Sequence, residues 1–367
     1  MTEHAAFMQQ ALELAAQALF LSNPNPRVGC VLVAPDGQTI IGQGFTQQAG
    51  GPHAEIMALR DAAARGHSTQ GATAYVTLEP CSHHGRTGPC CDALIQAGIT
   101  RVVGAITDPN PQVAGQGFAR LRAAGVEVIV GPGGEASREL NIGFFSRMQR
   151  GRPWVRLKAA TSLDGATALG NGQSQWITGP EARADGHTWR ARACAVLTGI
   201  GTVLADDPQL NVRAITTPRQ PWPVVVDSQL RTPPSAAVLK AGSACHIYTS
   251  AIKPAETEAL QAQGATVIAK PAANGQVDLA AMLHDLGQRG VNELHVEAGA
   301  TLNGALLAQG LVDELLLYLA PKLLGQGTRG MAAWGPLEQL DEAIALQLHS
   351  VTPIGADLRV LARIQTA

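Results

Sequence analysis

This chain has no excess of positive charge. Its 27 Lys and Arg stand against 29 Asp and Glu, a net charge of −2. That balance argues against a broad electrostatic footprint for nucleic acid and leaves room only for a local basic groove. No uninterrupted apolar run reaches the roughly 18 residues of a membrane span. The N-terminal stretch MTEHAAFMQQALELAAQALF has no Lys or Arg. A secretory signal needs a basic start, so this segment reads as an amphipathic helix and the protein is expected in the cytoplasm. There are only six cysteines, and no C-x-x-C pair suggests a redox site. Disulfides are rare in the cytoplasm, so clustered cysteines lean towards metal or catalysis. Internal repeats and low-complexity tracts are also absent.

The composition is that of an ordinary globular protein, 46% hydrophobic and 15% charged over 367 residues. That length suggests two or three domains. The first part alternates helix and strand. A helix over 4–21 precedes the turn-rich NPNPRVG, and strands at 30–35 and 39–45 flank Asp36-Gly37 as a hairpin. Helical periodicity over 53–66 stops at Gly66, and a strand over 72–80 runs into a cysteine-rich loop. Further helix–strand pairs follow to residue 131. This predicts a three-layer α/β domain over 1–147. Arg150-Gly151-Arg152-Pro153 is a plausible junction. A second α/β domain, 148–367, then has strands at 193–201, 223–228, 245–250, 265–270, 293–300 and 315–324.

The chemistry concentrates in GGPHAEIMALR, residues 50–60, and TLEPCSHHGRTGPCC, residues 77–91. His53 opens a helix, Cys81 follows a strand, and Cys90 starts the next helix. Two helix N-termini thus converge, where the dipole and a metal both favour thiolates. A catalytic zinc takes three protein ligands and keeps one position for water. Glu55, two residues beyond His53, is badly spaced to bind the same metal but can face that water. His53-Ala54-Glu55 followed by Pro80-Cys81 and a second cysteine matches the zinc-deaminase signature, with a longer gap between the cysteines. The bland reading is a helix-cap histidine beside buried structural cysteines. Cys91 rivals Cys90 but is expected to point into the helix's packed side. A closed structural zinc would need a fourth ligand, for which His83 or His84 are the candidates. Both histidines otherwise read as solvated or substrate-facing. Cys30, Cys194 and Cys245, at strand starts, read as small buried hydrophobes.

NPNPRVGCV, HAEIMAL and TLEPCSHHGRTGPC together resemble the riboflavin-biosynthesis bifunctional pyrimidine deaminase/reductase family, in which the longer cysteine gap is usual. The resemblance implies a cytidine-deaminase-like fold for the first domain, with Zn2+ held by His53, Cys81 and Cys90 and Glu55 as the proton-transferring residue. It also implies a small phosphoribosyl pyrimidine substrate, 2,5-diamino-6-ribosylamino-4(3H)-pyrimidinone 5′-phosphate, with Asn25 reading a ring edge. Taken alone, Asn25 is equally well a turn residue before proline.

The second half is less explicit on its own. Gly199-x-Gly201 lacks the third glycine of a dinucleotide fingerprint and is a weak signal. Strand, small-residue turn and helix recur at HVEAGATLNGALL, where backbone N–H groups suit a phosphate and Thr301 could cap the helix. KAATSLDGATA, SQWITG, TVLADDPQLNVR, VDSQLRTP and EAGATLNGALL resemble the same family's reductase domain. They imply a dihydrofolate-reductase-like fold that uses NADPH to reduce the opened ribose to ribityl. On those motifs Lys158, Ser174, Arg190, Asp206, Leu210, Arg213 and Glu297 resemble the substrate set, with Arg190 and Arg213 suited to the 5′-phosphate. Ala160, Trp176, Thr202, Asp206, Ser228 and the turn Gly299, Ala300, Thr301, Leu302, Asn303, Gly304 and Ala305 resemble the NADPH set. Read singly, Asp206 is a turn residue, Trp176 a core strand residue and Arg190 a solvated helix face. Ala298 departs from the family's Glu-Gly-Gly turn. It is the one hint for an alternative, an active zinc deaminase with a degenerate, nucleotide-binding second domain. A binding protein with structural zinc is disfavoured by Glu55, because a structural site needs no base. A nucleic-acid deaminase is disfavoured by the charge balance. A homodimer or tetramer is expected.

Overall fold

The computed structural model describes residues 3–82 and 88–365, so His83 and His84 lie outside the described residues. The chain divides into two compact units, Met1–Gly151 and Arg152–Ala367.

The first unit begins with α1 (Glu3–Gln17) and a hairpin of β1 (Gly29–Val33) and β2 (Ile40–Phe45). Then α2 (Ala54–Ala64) leads to β3 (Thr73–Val76), α3 (Cys90–Gln96) to β4 (Arg101–Gly104), and α4 (Gln116–Ala123) to β5 (Glu127–Val130). Helices α5 (Gly134–Leu140) and α6 (Ile142–Arg150) close the unit. The sheet order is β2-β1-β3-β4-β5. The β1 strand pairs antiparallel with β2 and β3, whereas β3, β4 and β5 run parallel. Side chains alternate across a strand, and β1 uses both faces. Cys30 and Leu32 join Ala54, Ala58 and Leu94 in one core, while Val31 and Val33 join Met8 and Ala11 of α1 in another. Three layers follow from that alternation.

The α1 helix ends at Gln17, four residues earlier than expected, and the chain turns before Asn23-Pro24. A residue before proline is pushed out of helical conformation. The β3 strand ends at Val76 rather than at Pro80, and proline has no N–H to continue a ladder. Helices α5 and α6 were not anticipated, and the latter places Phe144 and Phe145 in the core.

The second unit is built on a nine-stranded sheet. Its elements are β6 (Trp154–Ser162), β7 (Ala166–Ala168), α7 (Pro180–Arg192), β8 (Ala195–Gly199), α8 (Ile200–Asp206), β9 (Trp222–Val226), β10 (His246–Thr249), α9 (Pro254–Gln261) and β11 (Thr266–Ala269). Then come α10 (Leu279–Gln288), β12 (Glu293–Val296), α11 (Ala300–Ala308), β13 (Glu314–Ala320), β14 (Arg329–Gly330), β15 (Leu346–Ile354) and β16 (Asp357–Ile364). The order is β11-β10-β9-β8-β12-β6-β13-β16-β15, with β7 and β14 forming a small separate sheet. The run from β11 to β13 is parallel, and β16 and β15 add an antiparallel edge. Helices cover both faces. Val155, Leu157 and Leu294 pack with α10 and α11, while Val196, Val225 and Ile247 pack with Val203 and Leu260.

Two readings need correction here. The strand expected over 193–201 stops at Gly199, and the stretch after it is helix α8, with Gly199 in extended conformation as its N-cap. The terminal hairpin β15–β16 was not foreseen.

Candidate active sites

In the first unit, α2 and α3 direct their N-terminal ends at one point. The α2 helix is seated hard on β2: a Cβ on Gly44 would lie 2.5 Å from the carbonyl oxygen of Ala54 and 2.5 Å from the Ala58 nitrogen. Only glycine admits that approach, and it fixes where the first turn of α2 begins. His53 is the extended N-cap residue of α2, and Cys90 is the first residue of α3. Cys81 sits between them: its thiol sulfur is 3.6 Å from His53 Nδ1 and accepts the Cys90 backbone N–H at 3.3 Å. His53 Nδ1 lies 3.2 Å from Cys90 Sγ. The three ligand atoms lie within 4.8 Å of one another. One nitrogen and two sulfurs, with a fourth position open, form a donor set that fits zinc.

The electrostatics also fit. A hydrogen bond from Cys90 is the largest influence holding the Cys81 thiol down at about 4. The same bond, with burial, pushes Cys90 up. Glu55 is buried and makes no part of the ligand triangle. Burial, then the Cys81 thiolate, pushes its carboxyl up to about 7. A carboxyl there can take and return a proton near neutrality. Cys91 is fully buried in the core and lies outside the triangle, as its place on the packed side of the helix anticipated. Cys30 and Cys245 are also buried, whereas Cys194 is only partly so. Asn25 donates its backbone N–H to the Ser22 carbonyl at 2.8 Å. Its side-chain amide forms no hydrogen bond among the described residues.

The sequence reading passed over two buried carboxylates in this unit. Glu79 accepts four backbone N–H groups, from Asp108, Gly115, Gly117 and Phe118, at 2.8–3.2 Å. It thereby ties the loop before α4 to the strand end that carries Cys81. Asp108 is pushed up to about 6, chiefly by burial. The signal for Glu79 was its place beside Pro80-Cys81. Its partners, some 30 to 40 residues on, carry no local cue.

In the second unit, β8 and β12 are parallel neighbours, so the turns at their C-terminal ends lie side by side. An added Cβ on Gly199 would meet Leu302 at 3.4 Å, and one on Gly299 would meet Thr202 Oγ1 at 3.7 Å. These turns floor a cleft of about 1440 Å³. Fourteen of the expected residues line it. Lys158, Ala160, Ser174 and Trp176 do so from β6 and the loop beyond β7, and Thr202, Asp206, Ser228 and Glu297 from α8, the end of β9 and the end of β12. Gly299, Ala300, Thr301, Leu302, Asn303 and Ala305 complete the wall. Glycine turns that bring backbone N–H groups to a roomy cleft fit a phosphorylated dinucleotide. Asn303 adds a buried Oδ1 with no partner, while its amide nitrogen donates to the Ala298 and Met331 carbonyls.

Some placements differ from expectation. Thr301 makes no cap; Gly299 is the N-cap of α11 and no side chain caps it. Trp176 is on no strand: it is 63% exposed, with the Arg183 guanidinium 4.5 Å from its ring centre. Gly304 is not among the residues that line the cleft. A Cβ there would lie 1.9 Å from the Ala333 carbonyl oxygen, so glycine serves backbone packing. Leu210 is buried in a core cluster with a left-handed φ of 53°. Ala298 packs against the main core, so its methyl belongs to the interior as well as to the cleft wall.

Neither Arg190 nor Arg213 is among the residues that line the cleft. Arg190 grips Glu297 at two points and donates to the Asn211 carbonyl at 3.0 Å. Arg213 is exposed and donates to Asn211 Oδ1 at 3.2 Å. Lys158 Nζ is 3.8 Å from Glu297, and His295 Nε2 is 3.3 Å from it. Burial alone would raise the Glu297 carboxyl, but Arg190 and Lys158 hold it well below the usual carboxylate range.

Both units resemble known proteins. Residues 1–106 match the cytidine and deoxycytidylate deaminase zinc-binding region, and residues 153–360 match the RibD C-terminal domain. The riboflavin biosynthesis protein RibD of Escherichia coli is 46% identical, with 96% of this chain and 97% of that protein covered. Its Haemophilus influenzae counterpart is 44% identical over 98% and 97%. A structure of Acinetobacter baumannii RibD superposes with a TM-score of 0.89 at 41% identity, covering 99% of both chains. A Thermotoga maritima diaminohydroxyphosphoribosylaminopyrimidine deaminase/5-amino-6-(5-phosphoribosylamino)uracil reductase gives a TM-score of 0.87 at 33% identity, again over 99% of both. The chain belongs to the RibD family of bifunctional riboflavin-biosynthesis deaminase/reductases.

Proposed function

We propose that this chain carries out two successive steps on one phosphoribosyl pyrimidine. Residues 1–147 remove the exocyclic amine of 2,5-diamino-6-ribosylamino-4(3H)-pyrimidinone 5′-phosphate by hydrolysis, and residues 148–367 reduce the ribose of the product to ribityl. The observation that carries the reading is the convergence of His53, Cys81 and Cys90 beside buried Glu55. When bound, zinc lowers the pKa of a water and NADPH supplies a hydride. The protein's own residues do the rest. Glu55 accepts one proton of the attacking water and passes it to the ring nitrogen, then moves the second, from the newly added hydroxyl, to the departing amine as the carbonyl forms, so that one water enters and one ammonia leaves. Asn25 offers both a donor and an acceptor to the ring edge.

In the second unit, Lys158 and Glu297 face the opened sugar. The hydride goes to the carbon of its C=N bond, and a proton goes to the nitrogen. Arg190 serves to hold the Glu297 carboxylate, which leaves Arg213 the better placed of the two arginines for the 5′-phosphate. Ser174 and Asp206 line the cleft for the substrate, and Leu210 shapes the loop that carries Arg213. The degenerate-domain alternative is not favoured: relatives named as RibD match nearly the whole chain, and the Ala298 methyl packs against the core as well as lining the cleft.

We further propose a cytoplasmic enzyme that self-associates. All six cysteines are free, as a reducing compartment would keep them. Edge strand β15 presents Leu346, Leu348 and Val351 to solvent at 41%, 66% and 53% exposure, and an apolar edge of this kind suits pairing with a second copy. Incubating the substrate without NADPH tests the division of labour. Ammonia should appear and the deaminated, unreduced product should accumulate; no ammonia from zinc-loaded protein would refute it.

A further inference from the structure

We propose that Gln220 and His187 are positioning residues for substrate recognition: they hold the loop that carries Arg213 and so set the enzyme's preference for a substrate bearing the 5′-phosphate. The inference rests on the reading of Arg213 as the residue that meets that phosphate.

Between the end of α8 and the start of β9, residues 207–221 form no helix or strand. Ordering so long a loop costs conformational entropy that contacts must offset. Its first half is held residue by residue. Leu210 is buried in a core cluster. The Asn211 carbonyl accepts Arg190 Nη1 at 3.0 Å. Val212 is buried, and one side chain meets both of its backbone groups. Its N–H donates to Gln220 Oε1 at 2.8 Å, and Gln220 Nε2 donates to its carbonyl at 3.0 Å. The Arg213 N–H donates to His187 Nδ1 at 3.4 Å. The Arg213 side chain is left exposed at the end of this braced run, touching only Asn211 Oδ1 among the hydrogen-bond partners described.

The braces are themselves fixed. His187 stands on α7 three residues before Arg190, on the same helix face, and Arg190 grips Glu297. One helix thus sets both the carboxylate at the cleft and the backbone of Arg213. Burial first, then the charges of Arg190 and Arg213, push the His187 imidazole down to about 4, so near neutrality its Nδ1 is free to accept. Gln220 precedes Pro221, whose carbonyl accepts Ser243 Oγ at 2.7 Å, and Trp222 then begins β9.

A glutamine amide offers one donor and one acceptor, so it pairs with Val212 as a neighbouring strand would. Two bonds fix orientation as well as position. Without them the backbone of buried Val212 loses its partners, which the loop can relieve only by moving. An arginine on a mobile loop still attracts a phosphate dianion, but it loses more freedom on each binding event. An arginine on a braced loop is already placed to grip the dianion at two points. Neither Gln220 nor His187 lines the cleft, so both act through Arg213. A substrate without the 5′-phosphate gives Arg213 nothing to grip and gains nothing from the brace.

The test uses the full chain and two substrates, 5-amino-6-(5-phosphoribosylamino)uracil and its dephosphorylated ribosyl counterpart, with NADPH consumption followed for each. Preference is the ratio of the two kcat/KM values. Gln220→Leu and His187→Ala should each cut that ratio by about 3–30-fold, through a higher KM for the phosphorylated substrate. His187→Gln, which keeps an acceptor, should recover part of the loss. In an Arg213→Ala background, Gln220→Leu should change the ratio no further, because it acts through that arginine. Calorimetric binding of NADPH checks that the second unit of each variant is folded. Gln220→Leu and His187→Ala proteins that bind NADPH and keep the wild-type ratio overturn the proposal while the reading of Arg213 stands. An equal fall in kcat/KM for both substrates also overturns it, by making the brace purely structural. An Arg213→Ala protein that keeps the wild-type ratio overturns the reading of Arg213 itself, and the proposal with it.

Discussion

Arg190 Nε meets Glu297 Oε1 at 2.5 Å, and its Nη2 meets Oε2 at 2.8 Å. This two-point pair ties α7 to the end of β12 and sets the carboxylate that faces the second unit's cleft. Both side chains are 15% exposed, so most of their hydration is lost. Removing the arginine leaves a carboxylate with only Lys158 and His295 nearby. Arg190→Ala is expected to lower stability by roughly 2–3 kcal/mol and to cut the reductive step more than tenfold, with ammonia release unchanged. Chemical denaturation and the two separate half-reactions check both effects.

On the proposed reading, Glu55 transfers the proton in the first step. Glu55→Gln keeps the shape and removes the base. Deamination should fall by about 10²–10⁴-fold, with zinc content and reduction of the deaminated substrate intact. Full deamination by this variant would refute the assignment.

The cysteines separate metal binding from packing. Cys81→Ser and Cys90→Ser should each lose most of the zinc measured by atomic emission. Cys91→Ser should keep its zinc but lose roughly 1–3 kcal/mol of stability, because a more polar hydroxyl replaces a thiol in the core.

His187 gives a pH signature. Burial first, then the positive charges of Arg190 and Arg213, push its imidazole down to about 4. A group whose folded pKa is depressed contributes stability that is complete above its unfolded value, near 6.5, and is lost as pH falls towards 4. His187→Gln should therefore show a flatter fall in urea midpoint between pH 6.5 and 4 than the wild type. Parallel curves would show that His187 does not titrate in this window.

The zinc site was legible because its information is local. His53 and Glu55 share one helical turn and Cys81 and Cys90 bracket one loop, two short motifs readable separately, although His53 is 28 and 37 positions from the two cysteines. The glycine turns were legible for the same reason, although the helix after Gly199 was hidden because two glycines read as loop. Other features depend on residues far apart in the chain. Arg190 and Glu297 are 107 positions apart, and nothing near Arg190 distinguished a gripping side chain from a solvated one. Glu79 likewise finds its donors only when the loop at 108–118 folds over it. Gly304 looked like part of a phosphate turn, and only the nearness of Ala333 shows that it serves packing. The β15–β16 hairpin escaped notice because β15 is mostly solvent-exposed and lacks the apolar run that marked the central strands.

The most direct test of the two-step account is a single incubation of zinc-quantified protein with the diaminopyrimidinone ribosyl phosphate and NADPH, following ammonia and NADPH absorbance together. The account predicts one NADPH consumed per ammonia released, with ammonia leading. NADPH loss that precedes ammonia, or that persists when Glu55→Gln has stopped ammonia release from the same substrate, would contradict it.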